Sequence, residues 1–416
     1  MNTPHNRSDA EHLDRLFRSE SAQAVAALAR RFNDFDRAED AVQDAYVIAL
    51  QRWPAERIPR NPSGWISTVA RNCAIDRLRR ERVGAGKHEL LADAQTIAAA
   101  GDHFEEPAMD DRLAMIFAAC HPALSLDTRM ALTLRYAAGL TVGEIAGALL
   151  AEVPAIAQRL VRAKRKIREA HIPISVPDDA VLPQRLEDVL RVLYLIFNEG
   201  YASLTHASRV RADLCDEALR LVALLEILLP AEPEVAGLHA LMLFHDARRS
   251  TRVDENDDPV LLEDQDRSKW DTRKIMRGLT LLESALRHEH VGSYQVQAAI
   301  AAEHARAETW ESTNWFRIRH WYDALYAIEP SPVVALNRAV AVGYTDGAEA
   351  ALREIDAVID APELQGYPPL HASRAEFLRR LGRDAEARAQ YLRALDFSQS
   401  EPERRFINKR LVSLSP

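Results

Sequence analysis

The stretch from Leu140 to Arg168, LTVGEIAGALLAEVPAIAQRLVRAKRKIR, constrains the fold more than any other. It reads as two short helices around a tight turn. Ile145, Ala146, Leu149 and Leu150 recur at helical spacing, and Val153, Ile156 and Leu160 supply a facing apolar surface. Arg159, Arg162, Lys164, Arg165, Lys166 and Arg168 leave the other side of the second helix positive. Such a helix suits a DNA major groove, where arginine and lysine reach phosphates and guanine edges. The same pattern also serves a helix lying on an acidic protein surface or simply solvated, so the rest of the chain has to decide.

At 416 residues and 47% hydrophobic, the chain is long enough for two or three domains with proper cores. Aromatic residues make up only 6%, glycines number 15, and long β-branched runs are few, which predicts an all-α protein. The net charge of −9 argues against nucleic-acid binding until it is divided along the sequence. Up to Ile172 there are 24 Lys/Arg against 23 Asp/Glu, leaving 29 against 39 beyond it, so the acidity belongs to the C-terminal part. Cys73, Cys120 and Cys215 show no CxxC spacing, and His288, Glu289, His290 and His304 lack zinc-site spacing; no disulfide framework, metal or cofactor is expected. No run approaches the roughly 18 apolar residues of a membrane span, and the N-terminus has no apolar signal core. A soluble cytoplasmic protein with no membrane partner is expected.

Upstream of the paired helices the order is distinctive. Residues 11–32 form two helices separated near Ser19 to Ser21, with Leu13, Leu16, Phe17, Val25, Leu28 and Phe32 as core. Residues 36–53 form an amphipathic helix with Ala41, Val42, Ala45, Tyr46, Ala49 and Leu50 on one side and Glu39, Asp40, Gln43 and Asp44 on another. Pro54 is expected to end it, and Ala55 to Gly64 to form a loop. A further helix begins at about Ser63, carries Trp65, Ile66, Val69, Ala70, Cys73, Ala74, Ile75 and Leu78, and ends in the basic run RLRRER.

This order resembles a bacterial sigma factor of the extracytoplasmic-function class. AEDAVQDAYVIALQRW resembles its core-polymerase-binding helix, NPSGWISTVARNCAIDRLRRER its promoter-melting and minus-ten segment, and the Leu140 to Arg168 stretch its minus-thirty-five helix-turn-helix. The resemblance covers about Glu11 to Ala170. It implies that Glu39, Asp40, Gln43 and Asp44 contact core RNA polymerase, at the beta-prime clamp, with the beta flap as a second contact. It implies that Trp65, Arg71, Asn72, Asp76, Arg79 and Arg80 meet the minus-ten region of promoter DNA. Gln158, Arg159, Arg162 and Lys166 are placed near bases or phosphates of the minus-thirty-five element. Alternatives stay open at two positions: Trp65 serves equally as a core anchor, and Asp76 as an ion-pair partner of Arg80 four residues on. Glu152 and Pro154 depart from the small polar residues usual at that helix start, so base preference does not transfer.

The expected domains are a region 2 domain over residues 10–82, a linker over 83–111 with at most a short helix near Glu89 to Ala100, and a region 4 helix-turn-helix domain over 112–172. A proline-punctuated linker over 173–184 leads to a helical extension over 185–288 and a tetratricopeptide-like repeat domain over 289–416. The string FNEGY at Phe197 to Tyr201 resembles a subgroup with such a fused extension; Glu199 and Tyr201 serve there as functional or as capping and core residues. DGAEAALREIDAVI and GRDAEARAQYLRAL recur at a period of about 37, close to that of tetratricopeptide repeats, whose stacked helices bind proteins or peptides. The sequence therefore predicts an alternative sigma factor directing promoter-specific initiation, with an extension that regulates or supports it. A helix-turn-helix regulator fused to a protein-binding sensor is the alternative. No nucleophile and base set, phosphate loop or metal spacing supports an enzyme, and no catalytic residue is assigned.

Overall fold

The computed structural model describes residues 24–56, 58–59, 61–85, 109–201, 209–255, 258–288, 291–398 and 401–414. The expectations at Leu13, Leu16 and Phe17, the helix near Glu89 to Ala100, and Glu289 and His290 lie outside them. The chain forms two compact units, Met1–Ile196 and Phe197–Pro416. Among the described residues there is no β-sheet, only an isolated bridge between Val253 and Pro259. None of their helices is long and apolar enough to cross a membrane.

The first unit opens with α1 (residues 24–32), α2 (Phe35–Glu56) and α3 (Pro62–Ala85). Ala38, Ala41, Ala45 and Ala49 recur on one side of α2, and all are buried along with Val42 and Trp53. Ile66, Ala70 and Ala74 line the buried side of α3. Small side chains on such a seam let two helix axes approach closely. Two expectations are corrected here. α2 continues past Pro54 to Glu56, because a proline in the last turn removes a single bond rather than breaking the helix. Leu50 is 42% exposed rather than core, as is Val47 at 53%, since the alanine seam already fills the space α3 leaves.

Four elements build the helix-turn-helix: α4 (Met109–Ala119), α5 (Leu126–Leu132) continuing into a π-turn at Thr133–Ala137, α6 (Val142–Ala148) and α7 (Val153–Glu169). Thr141 and Glu144 form a reciprocal capping box on α6: the Glu144 amide donates to Thr141 Oγ1 at 3.2 Å and the Thr141 amide to Glu144 Oε2 at 2.7 Å. α7 buries Ile156, Leu160, Ala163 and Ile167. Leu150 and Val153, expected in the facing surfaces, are 75% and 49% exposed. The turn carries Leu150 into the left-handed region at φ 48°, so the helical phase that would have buried it ends before it. α8 (Leu182–Tyr201) is tied down at its start, where Arg185 donates to the Phe117 carbonyl at 2.6 Å and Asp188 accepts from Arg129 at 2.7 Å.

In the second unit, α9 (Arg209–Leu228), α11 (Thr272–Ala285) and α12 (Ser293–Arg306) pack around α10 (Pro233–Ala247). α10 buries residues on every side, from Val235 to Ala247. Asp271 caps α11 by accepting from the Arg273 and Lys274 amides. The remaining helices pack in chain order: α13 (Trp315–Ile328), α14 (Pro332–Thr345), α15 (Ala348–Val358), α16 (Pro368–Arg380), α17 (Asp384–Phe397) and α18 (Glu401–Val412). The two internally similar segments are α15 and α17. Each is entered through a glycine with positive φ, Gly347 at 95° and Gly382 at 72°.

Gly237 on α10 approaches α12 so closely that a Cβ there would lie 2.8 Å from the Gln295 backbone nitrogen and 3.0 Å from its Cα. Backbone cannot yield as a side-chain tip does, so Gly237→Ala is expected to destabilise the second unit by about 1 to 3 kcal/mol. A Cβ at Gly143 on α6 meets nothing within 4 Å, and Gly143→Ala is expected to be neutral or to stabilise by up to about 1 kcal/mol. Calorimetric unfolding of both variants checks the contrast.

Candidate nucleic-acid interface

α3 and α7 each carry basic residues outward, and the helical period decides which. On α3 the buried positions are Ile66, Ala70, Ala74, Ile75 and Leu78, so Asn72, Asp76, Arg79 and Arg80 fall on the opposite, exposed face. Arg71 is half-buried beside them. The Asp76 carboxylate lies 3.6 Å from Arg79, while Arg80 Nε donates instead to the Asp76 carbonyl at 3.3 Å. Trp65 is half-buried, and its ring meets buried Trp53 edge-on at 5.2 Å. It thus anchors one side of its ring in the core while sharing a face with Asn72, seven residues on. The Asn61 side chain accepts from the Gly64 amide at 2.9 Å and starts the helix there.

On α7, Gln158, Arg162 and Lys166 follow at intervals of four and are all exposed. Arg162 leans on Gln158, with its Nε 3.4 Å from the Gln158 carbonyl, and Lys166 donates to the Ala123 carbonyl. Arg159 is half-buried, 3.6 Å from Asp127. The basic run does not form a single surface. Lys164 and Arg168 lie across the helix from Arg162 and turn towards α2.

There they meet the acids expected to face the polymerase. Glu39 is at the centre: it accepts from Arg135 Nη2 at 2.9 Å, from the Tyr136 hydroxyl at 3.0 Å and from Lys164 Nζ at 2.8 Å. Lys164 also pairs with Asp36 at 2.7 Å, Arg168 joins Asp36, and the rings of Phe35 and Tyr136 lie 4.6 Å apart. Burial opposes the charge of Glu39, but hydrogen bonds and attraction from Lys164 and Arg135 override it and hold the carboxyl below its ordinary range. Burial likewise opposes the charge of Lys164, and Asp36 and Glu39 override it and push the ammonium up. Asp40 and Asp44 share Arg77 of α3 at 2.6 and 2.8 Å, whereas Gln43 is exposed. Sequence reasoning missed that Val47 and Leu50 continue the Gln43 face as an exposed apolar stripe at the i+4 and i+7 positions. The spacing carries that signal, but the same spacing also admits Leu50 to the core side.

Residues 16–83 match the Sigma-70 region 2 family, residues 114–167 the Sigma-70 region 4 family, and residues 185–286 a family of unknown function, DUF6596. These modules and the two outward basic faces define a DNA-binding sigma factor of the Sigma-70 type, a transcription-initiation protein with an added C-terminal module. The chain belongs to one family with an uncharacterized protein of Rhizobium meliloti (strain 1021), to which it is 41% identical over 416 residues, 98% of this chain and 97% of the relative. It is also similar to the ECF RNA polymerase sigma factor SigK of Mycolicibacterium vanbaalenii, at 28% identity over 171 residues, 38% of this chain and 82% of the relative.

Because Glu39 titrates below the ordinary glutamate value of 4.5 in the folded chain, its contacts contribute fully above that pH and are lost as the pH falls through its depressed value. Glu39→Gln removes the charge and leaves Arg135 and Lys164 under-compensated, at a cost of about 1 to 3 kcal/mol for such a half-buried group. Hydrogen exchange should show faster opening of α5 and α7 in the variant at pH 7. The gap between variant and wild type should shrink as the pH is lowered below about 4.5.

Proposed function

We propose that this chain is an alternative sigma factor that binds core RNA polymerase through α2 and directs initiation at particular promoters. The observation that supports it best is the division of labour among three faces: Gln43, Val47 and Leu50 on α2, Asn72, Asp76, Arg79 and Arg80 on α3, and Gln158, Arg162 and Lys166 on α7. An apolar stripe flanked by Asp40 and Asp44 suits a basic partner helix such as the beta-prime clamp presents. α3 takes the minus-ten region, with Trp65 and Arg71 at its edge, and α7 takes the minus-thirty-five element with Arg159 beside its exposed residues. The beta flap is the second polymerase contact, on the region 4 side. Binding energy alone performs these steps, so no catalytic residue is required, and the work takes place in the cytoplasm. The C-terminal helical array regulates or supports initiation, and its tetratricopeptide-like pairs offer a surface for a protein or peptide partner.

Run-off transcription with bacterial core polymerase on genomic fragments, including the region upstream of its own gene, tests the reading. The full chain and a chain ending after Ile172 are compared. Initiation by either supports a sigma factor, and their ratio gives the sign of the extension's effect. Duplex binding without polymerase and no initiation by either chain would replace it with a helix-turn-helix regulator.

Arg162→Ala is expected to weaken promoter binding by the holoenzyme by about 1 to 3 kcal/mol if it reaches a base edge. Lys164→Gln, on the other side of the same helix, leaves the Gln158, Arg162 and Lys166 face intact and removes one of the three residues that hold Glu39. It is expected to leave promoter preference unchanged and to raise affinity for core polymerase, measured by fluorescence anisotropy.

A further inference from the structure

The FNEGY string ends in Tyr201, and the structure surrounds that ring with positive charge. Arg252 lies over it, its guanidinium 3.5 Å from the ring centroid, and Arg248 approaches at 5.9 Å. The His245 ring stands 5.3 Å away, with Arg248 Nη2 at 3.4 Å from its Nδ1. Arg252 donates to the Tyr201 carbonyl, and Arg267 donates through Nη1 to the carbonyls of His304 and, at 2.8 Å, Ala307. Among the described residues, no carboxylate forms an ion pair with Arg248, Arg252 or Arg267, although all three are at least half-buried. The acids nearby on the chain are engaged elsewhere: Asp246 pairs with Arg249 and Lys274, and Glu303 with Arg306 and Arg317. Among the described residues, three buried polar atoms in this neighbourhood have no hydrogen-bond partner, the Tyr201 hydroxyl, Arg267 Nη2 and His304 Nδ1.

Burial first, and then repulsion from Arg248, lowers the guanidinium pKa values of both Arg252 and Arg267, and the exposed Glu311 attracts Arg267 without forming an ion pair with it. The imidazoles register the same field. Burial first, then Arg248 and Arg267, pull His304 down to about 4, and burial with Arg248, Arg252 and His304 pulls His245 down as well. Trp310 and Trp315 enclose His304, at 6.1 and 5.4 Å between ring centroids. Such a cluster is suited to a compact dianion, which takes several charge-assisted hydrogen bonds at once and satisfies the donors left over.

We propose that Arg248, Arg252 and Arg267, with Tyr201 and His304, form a binding site for a phosphate group, presented either by inorganic phosphate or by a small phosphate monoester. The site stands independently of the sigma-factor reading, since binding is measured without polymerase.

The test is isothermal titration calorimetry of the full chain with inorganic phosphate and with glycerol 3-phosphate, each at constant ionic strength against chloride. One saturable site per chain is expected, and the tighter of the two probes identifies the source of the group. Arg248→Gln should weaken binding at least about tenfold, the loss of one charge-assisted hydrogen bond, while Arg248→Lys retains part of it. Among the described residues the Arg248 side chain contacts His245 and the Tyr201 ring, so circular dichroism and the unfolding temperature should stay near wild type. If Arg248→Gln does not fold, Tyr201→Phe keeps the ring platform and removes only the hydroxyl, and binding weakened severalfold is expected. No saturable heat up to about 10 mM of either probe, affinity unchanged in Arg248→Gln, or, where that variant does not fold, affinity unchanged in Tyr201→Phe, overturns the site.

Discussion

The alanine seam of α2 sets the geometry on which the first unit depends. Ala38, Ala41, Ala45 and Ala49 bring α3 close against α2. With that side closed by small residues, the larger apolar residues Val47 and Leu50 have no place inside and remain on the surface. The acids Asp40 and Asp44 are drawn to Arg77 across the same helix pair. Packing and surface chemistry on α2 are therefore one problem with one solution. A larger residue in the seam would separate α3 and carry its exposed Asn72, Asp76, Arg79 and Arg80 with it.

Charge on α7 is handled by the same periodic logic. One face carries Gln158, Arg162 and Lys166 outward, and the other sends Lys164 and Arg168 to Glu39 and Asp36. A basic run that looks uniform in the sequence thus divides into residues available to DNA and residues committed to the chain itself. Glu39 is the acceptor that makes the division possible, because it takes bonds from α7 and from the π-turn at Arg135 and Tyr136 together. The carboxylate that the sequence resemblance assigns to polymerase is therefore already engaged within the first unit.

In the second unit the constraint is burial on all sides of α10. A helix so enclosed requires neighbours on every face, and α9, α11 and α12 supply them. Gly237 is the point at which one of these neighbours comes closest, against the backbone of Gln295. Arginines then occupy the margins where aromatic rings offer a surface, at Tyr201, Trp270, Tyr344 and Phe406. Those at Tyr344 and Phe406 also pair with carboxylates, Glu376 for Arg380 and Glu263 for Arg410, whereas among the described residues no carboxylate pairs with Arg248 or Arg252 beside Tyr201. That difference in counter-charge singles out the Tyr201 cluster.

The sequence by itself determined that the chain is helical, where the helix-turn-helix lies, and which face of α3 points outward. These properties follow from local periodicity and from capping residues such as Thr141 and Glu144, which act within a few positions along the chain. The side of α7 left exposed, the partners of Glu39, the exposure of Leu50 and Leu150, and the approach of Arg252 and Arg267 to Arg248 were decided only in three dimensions. Each depends on residues far apart in the chain or on a single departure from helical phase. Arg135 and Lys164 reach Glu39 from 96 and 125 positions away, and no local pattern encodes which of several basic residues will face it.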